Sequence, residues 1–347
     1  MSSSFLNLEK LFPTKWSGVI FIAYMSLFIN QGLLITYSRQ GGSTYPYNPT
    51  IIILVSEIIK LIISLFIQIA SNGPKILTKN ITKNRVLLAY YFLPSFQYAI
   101  YNNLTFINLS IFDPTTYFIL LQIRLILTGV IYQVIFKKYL TRKQWFSLII
   151  LTIGCMIQRM DISSSSQISS RINFGEKGWG LHLILFQALC SVFAGVYNEY
   201  IIKSKGKDTE ISMQNIYMYS DSVICNLIFM LPNLEGTNFG DFITSIQKNN
   251  VLIWIIVNNV LVGLVTSLFL KNLNSILKAF ASGLEILFTA ILSHFLLGIP
   301  IKINTYISIV IVLVSIILYA NNPLKTTPVH SKREEHVRDE DKTLLEA

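Results

Sequence analysis

Along this chain apolar runs alternate with short polar interruptions, and ten such runs stand out, at 17–37, 51–70, 86–109, 114–136, 144–158, 179–202, 213–232, 251–270, 275–298 and 303–320. A bilayer core is crossed by about 20 residues of α-helix rising 1.5 Å each, and most of the runs have that length. The pattern therefore predicts an all-α integral membrane protein with ten transmembrane helices. The longer connections are 71–85, the Ser-rich MDISSSSQISSR within 159–178, and 232–250. The expected organisation is a short N-terminal segment, 1–16, a membrane domain, 17–320, with halves 17–158 and 179–320, and a tail, 321–347. The tail is charged and nearly free of large apolar residues, the composition of a disordered segment.

Composition sharpens this picture. Of the 347 residues 52% are hydrophobic and only 13% charged, against roughly 25% charged in a soluble domain. A net charge of +10 in such a chain belongs to cytoplasmic loops rather than to a nucleic-acid surface. With the N-terminus in the cytoplasm, 19 of the 28 Lys and Arg fall on the cytoplasmic side and 6 on the other, with Lys60, Arg124 and Lys278 inside spans. The bias places both termini in the cytoplasm, which requires an even number of spans. Residues 1–16 do not read as a cleavable signal. The sequon at Asn80 then faces the cytoplasm, those at Asn103 and Asn108 lie in or against the membrane, and no N-glycan is expected. Tyr37, Tyr45 and Tyr47 read as interfacial belt residues.

The runs are not uniformly apolar. Gln122 and Arg124 sit near the middle of the fourth, where a guanidinium facing lipid costs between about 2.5 and 17 kcal/mol. It must face protein, water or an anion. Shifting the chain by 161 residues lays the fourth and fifth runs on the ninth and tenth, pairing Asp113 with Asn274, Tyr117 with Lys278, Arg124 with Glu285 and Thr141 with Lys302. Each half has an odd number of spans, so the halves must be oppositely oriented. Two inverted five-helix repeats follow, an arrangement that typically sets a binding site at the midplane between them.

Helical spacing groups the intramembrane polar residues into faces. Tyr117 and Arg124 share a face on the fourth run; Lys278, Ser282 and Glu285 share one on the ninth. Asn215, Tyr219 and Ser222 align on the seventh, Tyr98 and Asn102 on the third with Tyr101 flanking, and Glu57 with Lys60 on the second. Together they are the materials for an anion-accepting, aromatic-walled cavity. Structural readings stand beside this one. Glu57 and Lys60 can neutralise one another, Arg124 and Glu285 can lock the halves as an ion pair, and the tyrosines and asparagines can bridge helices.

Other chemistry is absent from the sequence. Cys155, Cys190 and Cys225 lie in apolar runs without CxxC or Cys/His spacing and read as small buried hydrophobes. His182 and His294 stand alone on apolar stretches, suited to packing or to a proton relay. No HExxH, GxSxG or P-loop occurs, so neither an enzyme nor a self-contained ATP-driven pump is expected, and no cofactor or metal.

Six stretches carry a resemblance: YNPTIIILVSEIIKLIIS (47–64), YAIYNNLTF (98–106), the run from DPTTY at 113 to GC at 155, SVFAGVYNEYIIK (191–203), QNIYMYS (214–220) and LKNLNSILKAF (270–280). In these the chain resembles nucleotide-sugar transporters of the CMP-sialic acid and UDP-galactose branch, within the drug/metabolite transporter superfamily. The resemblance implies a multi-pass antiporter of the Golgi membrane that imports a nucleotide sugar and exports the nucleoside monophosphate. It implies that Lys278 meets the nucleotide phosphate, that Arg124 stands where relatives carry lysine, and that Tyr117, Asn102, Asn215 and Tyr219 fall at positions for the nucleotide or its sugar. Glu57 and Lys60 match a TEVIK-like pair near the cavity. Arginine at 124 keeps the charge and adds a bidentate fork. Glu285 departs from the small or apolar residue of relatives and sets an acid two turns from Lys278.

Partners expected on this basis are the nucleotide sugar, the nucleoside monophosphate and the lipid bilayer, with oligomers of this chain, of other transporters or of glycosyltransferases compatible with it and no nucleic acid. A different class of function is a non-transporting Golgi scaffold that keeps the transporter fold. The tail also holds ExxxLL, Glu340 to Leu345, which is either a sorting signal or chance.

Overall fold

The computed structural model describes residues 11–12, 14–38, 49–74, 84–160, 174–230, 244 and 250–324. Tyr45, Tyr47, the Asn80 sequon, most of the Ser-rich connection and the tail with its ExxxLL pattern lie outside them. The helices are α1 (Lys15–Ser38), α2 (Pro49–Asn72), α3 (Arg85–Ile111), α4 (Pro114–Leu121), α5 (Arg124–Phe136), α6 (Arg142–Arg159), α7 (Phe174–Tyr200, continued by a π turn at Ile201–Lys205), α8 (Ile211–Met230), α9 (Val251–Asn272), α10 (Ser275–Leu297) and α11 (Ile303–Ala320). Each of the ten apolar runs corresponds to a helix, the fourth being divided into α4 and α5.

Local chemistry explains the boundaries. Asp113 caps α4, its carboxylate accepting from the Thr116 amide (3.0 Å), with Pro114 at the first helical position where no amide is missed. Thr141 and Gln144 form a reciprocal capping box at the start of α6. Asn274 caps α10 through the Leu277 amide (2.8 Å), and Gly298 ends it in the left-handed region at φ 68°.

Seven helical spans among the described residues are long and apolar enough to cross a membrane: α1, α2, α4 with α5, α7, α9, α10 and α11. Three of the ten runs counted in the sequence fall short of that measure. The remaining helices, α3, α6 and α8, are long enough but diluted by polar residues, and those residues point inward. Gln144, Gln214, Asn215, Asp221 and Asn226 are buried, as are Ser95 and Asn108. Large apolar side chains of the same helices also point outward: Phe92 and Ile107 on α3, Phe146 and Ile153 on α6, Ile224 and Ile228 on α8. An apolar exterior around a polar interior is the arrangement of a chain whose solvent is lipid. It is a multi-pass membrane protein.

The helices pack as α1 on α9 and α10, α2 on α8 and α9, α3 on α7 and α8, α5 on α7, and α6 on α11. Amide side chains bind them where an apolar bilayer gives no hydrophobic drive between helices. Asn30 and Gln31 of α1 donate to Asn258 and Asn259 of α9 (2.9 Å each), and Asn258 donates to the Leu27 carbonyl (3.0 Å). Asn304, at the start of α11, donates to the carbonyls of Gln158 (2.8 Å) and Met160 (2.7 Å) at the end of α6, while Gln144 at the other end of α6 donates to the Asn322 carbonyl (2.8 Å). These two helices are therefore antiparallel. They also lie very close, since a Cβ on Gly154 would meet Val312 at 2.8 Å. Cys155, Cys190 and Cys225 are buried free thiols.

Candidate functional site

At the centre of the bundle is a cavity of about 580 Å³, walled by α1, α3, α4, α5, α6, α7 and α10, within the range of small-molecule sites. The fourth apolar run breaks at its inner wall. Gln122 and Ile123 bond back to Ile119 and Leu120 with the tighter i−3 pattern, and a new helix starts at Arg124. Irregular backbone at membrane depth is tolerated where it lines a cavity, and both Gln122 and Arg124 line this one. The Gln122 amide donates to the Phe118 carbonyl (3.1 Å), and its carbonyl oxygen is buried with no partner.

Four charged side chains face the cavity: Arg124, Arg159, Lys278 and Glu285. Their fields overlap, because Arg124, Arg159 and Lys278 all act electrostatically on Glu285. Yet among the described residues the ion pairs closer than 4.0 Å are Glu57–Lys60 (2.5 Å) and Glu199–Lys203 (2.7 Å). Arg124 and Glu285 therefore do not lock the halves together as a contact pair. Three cations and one carboxylate give the cavity an excess of two positive charges, suited to a polyanion.

On α10, Ser275, Lys278, Ser282 and Glu285 lie along one face, with Glu285 roughly 10 Å beyond Lys278 at 1.5 Å per residue. The Ser275 end is sealed. Glu199, fully buried on α7, accepts from the Ser275 amide (2.7 Å), the Ser275 hydroxyl (2.6 Å) and the Lys203 ammonium (2.7 Å), and Lys203 also donates to the Leu273 carbonyl. A carboxylate at a helix N-terminus is also favoured by the helix dipole. The opposite end holds Arg159. Arg159, exposed there, lies over the Phe118 ring at 5.3 Å.

A second cavity, about 200 Å³, adjoins the first across Tyr98, which lines both. Glu57, Lys60, Asn102 and Tyr219 line it together with Asn198 and Ser222. Lys60, paired with Glu57, sits 4.8 Å from the centre of the Tyr219 ring. It has room because Gly263 is bare; a Cβ there would come within 2.5 Å of Lys60 Cδ.

Of the residues singled out by sequence, Arg124, Lys278, Tyr98, Tyr101 and Ser282 thus line the larger cavity, and Glu57, Lys60, Asn102, Tyr219 and again Tyr98 the smaller. Tyr117 and Asn215 line neither. Tyr117 is 1% exposed and belongs to a hydrogen-bond network instead: Gln187 of α7 donates to its hydroxyl (2.9 Å) and to Thr105 (2.8 Å) and the Tyr101 carbonyl (3.0 Å), and accepts from Asn108 (2.7 Å). The face predicted to join Tyr117 to Arg124 is interrupted by the helix break at 122–123. Arg159, Tyr24 and Gln31 line the larger cavity without having been singled out as site residues, and the Glu199 clamp likewise went unassigned.

Comparisons with known proteins point to one family. A family described as nucleotide-sugar transporter matches residues 15–320. The chain is similar to the UDP-galactose transporter senju of Drosophila melanogaster, at 42% identity over 98% of this chain and 96% of the relative. It is similar to CMP-sialic acid transporter 1 of Oryza sativa subsp. japonica, at 27% identity over 84% and 89%, and to CMP-sialic acid transporter 1 of Arabidopsis thaliana, at 26% over 95% and 98%. A solved crystal structure superposes with a TM-score of 0.64 over 89% of this chain and 98% of its own at 8% identity, a likeness of fold alone.

Proposed function

The chain belongs to the nucleotide-sugar transporter family, and from that premise we propose that it imports a nucleotide sugar into the Golgi lumen in exchange for the nucleoside monophosphate. The observation that carries this is the set of charged side chains facing a central cavity without an ion pair among them. In the proposal Arg124 and Lys278 hold the phosphates, as a phosphate stripped of water must be met by cations. Tyr98, Tyr101, Asn102 and Tyr219 receive the base and ribose around the smaller cavity, and Ser282 adds a hydroxyl between the charges. Glu57 positions Lys60 beside Tyr219. Tyr117 and Asn215 act from outside the two cavities, Tyr117 by fixing the turn of α3 that carries Tyr101. The relatives' names offer UDP-galactose and CMP-sialic acid as substrates to try first.

All ten helical spans cross the membrane in this reading, as two inverted five-helix repeats with both termini cytoplasmic. Its support is threefold. The outward face of α3, α6 and α8 is apolar. Asp113 and Asn274, 161 residues apart, cap equivalent helices. The packing also exchanges under the repeat, α1 lying on α9 as α7 lies on α3, and α1 on α10 as α7 on α5. In the proposed topology the Glu199 clamp faces the cytoplasm and Arg159 the lumen, and transport proceeds by alternating access between the two sides. An empty carrier with unpaired charges at midplane reorients reluctantly, which favours obligatory exchange.

The test is uptake of labelled nucleotide sugars by vesicles containing the purified protein and preloaded with UMP, CMP or GMP. Uptake that requires one preload supports exchange and names the nucleotide; uptake equal with and without preload contradicts exchange. No uptake, with no nucleotide raising the melting temperature, favours the scaffold.

A further inference from the structure

The connection from α5 to α6 carries four exposed cations, Lys137, Lys138, Arg142 and Lys143. No acidic residue stands among them or in the first turn of α6, and among the described residues none of the four makes an ion pair. Arg142 and Lys143 also sit at the positive end of the α6 dipole, where cations are disfavoured. The fold nonetheless holds this loop in place. Leu140 is buried in the main core cluster, Thr141 and Gln144 cap α6 reciprocally, and Lys137 takes the left-handed region at φ 52°, a conformation that favours Gly. A fixed array of unpaired cations is a surface suited to an anion.

The chain leaves its last helix beside this array. Gln144 accepts from the Thr141 amide through its side-chain oxygen (2.8 Å) and donates through its side-chain nitrogen to the Asn322 carbonyl (2.8 Å). One side chain thus ties the loop to the end of α11. Leu324, just beyond, packs against the same cluster that buries Leu140. Farther along, the sequence reads EEHVRDED at 334–341: Glu334, Glu335, Asp339, Glu340 and Asp341, with Arg338 as the basic residue among them. The chain between Leu324 and Glu334 spans at most about 35 Å, so the tether keeps the acidic stretch near the loop.

We propose that the loop 137–143 is the docking surface for the acidic stretch 334–341 of this chain's own tail. The inference goes beyond the transport reading and does not depend on it. The cations of the loop meet a stretch whose net charge is of the same size and opposite sign. Tethering supplies a local concentration in the millimolar range, which separate molecules would lack. An anionic lipid surface would also meet the cations, but it would repel the carboxylates tethered beside it; docking the stretch satisfies both sets of charge. Glu340 belongs both to this stretch and to the ExxxLL pattern. A docked tail therefore withholds that pattern, and a released tail presents it.

The test uses the full chain in phosphatidylcholine vesicles, carrying Tyr139→Cys in the loop and Val337→Cys in the stretch, with a short membrane-permeant bismaleimide as the probe. The native thiols are buried. Cross-linking at low salt should be at least about tenfold faster than at 1 M salt, where the Debye length falls to about 3 Å and weak exposed pairs are screened. Neutralising the loop (Lys137→Gly, Lys138→Gln, Arg142→Gln, Lys143→Gln) should slow it by a similar factor. So should neutralising the stretch (Glu334→Gln, Glu335→Gln, Asp339→Asn, Glu340→Gln, Asp341→Asn). Exchanging the signs, with the loop cations changed to Glu and the tail acids to Lys, should restore the rate, which a merely misshapen loop or tail would not do. A rate insensitive to salt and to both sets of substitutions leaves only the tether and overturns docking. Slowing by the loop set alone, or cross-linking abolished when phosphatidylserine is added to the vesicles, assigns the loop to anionic lipid and overturns it as well.

Discussion

Of the charge clusters inside this membrane protein, the Glu199 clamp and the larger cavity are built on opposite principles. In the clamp, the buried Glu199 carboxylate receives three hydrogen bonds, and Lys203 satisfies both it and the Leu273 carbonyl. In the larger cavity, Arg124, Arg159, Lys278 and Glu285 face open space without a contact pair among them. A charge at membrane depth is expensive in either case. The clamp recovers that cost within the fold; the cavity recovers it from water and, on the proposed function, from substrate. Satisfaction by neighbours separates a strut from a binding group here more clearly than depth or charge does.

The largest effect expected from breaking this contrast is in the clamp. Glu199→Ala leaves Lys203 and the start of α10 without their partner, and removal of one member of a buried pair typically costs about 3–5 kcal/mol. A large fall in melting temperature of detergent-solubilised protein is the check, with Glu199→Gln recovering part of it because the amide oxygen still accepts from Ser275.

Next in size is Arg124→Ala. Loss of a charge-assisted hydrogen bond to phosphate is worth about 1.5–3 kcal/mol, so nucleotide exchange should fall by roughly 10- to 150-fold while the melting temperature in the absence of ligand stays near that of the wild type. Smaller again is Glu285→Ala, which removes an acid from the phosphate's surroundings. Affinity for the nucleoside monophosphate should rise, by roughly 15-fold for a unit charge roughly 10 Å away at an effective dielectric near 20, as isothermal titration would register. The smallest effect belongs to an uncharged strut. Asn258→Ala removes amide bonds between α1 and α9, and such intramembrane bonds average about 0.6 kcal/mol with a ceiling near 1.7; unfolding in graded denaturant measures it.

How much of this was legible in the sequence follows the same contrast. Apolar runs located the helices of the described residues, because length and hydropathy are local properties. The break at Gln122–Ile123 was hidden, since neither Gly nor Pro marks it and Gln122 and Arg124 read as polar positions on one continuous span. Helical periodicity chose Lys278 and Ser282, which line the larger cavity, and also Tyr117 and Asn215, which line neither cavity. An inward face looks the same in sequence whether it meets a cavity or a neighbouring helix. Tyr117 meets Gln187, 70 residues away, and no local pattern encodes that contact. Arg159 was placed in a connection because Ser-rich sequence follows it, although α6 continues through it. The FAGVYNEY string carried the family resemblance, but the role of Glu199 emerged only when α7 was laid against Ser275. The repeat set Arg124 and Glu285 at matching positions, which invited a pair that the three-dimensional arrangement does not make.

The most direct test of the central claim, that the cavity charges serve a ligand and not the fold, is to measure melting temperature and nucleotide exchange on the same preparations of Arg124→Ala, Glu285→Ala and the double variant. The account predicts that Arg124→Ala melts like the wild type and loses exchange, that Glu285→Ala keeps exchange, and that the double variant stays inactive. Two unstable single variants, with stability and exchange both restored in the double, would contradict it and make Arg124 and Glu285 a strut like Glu199 and Lys203.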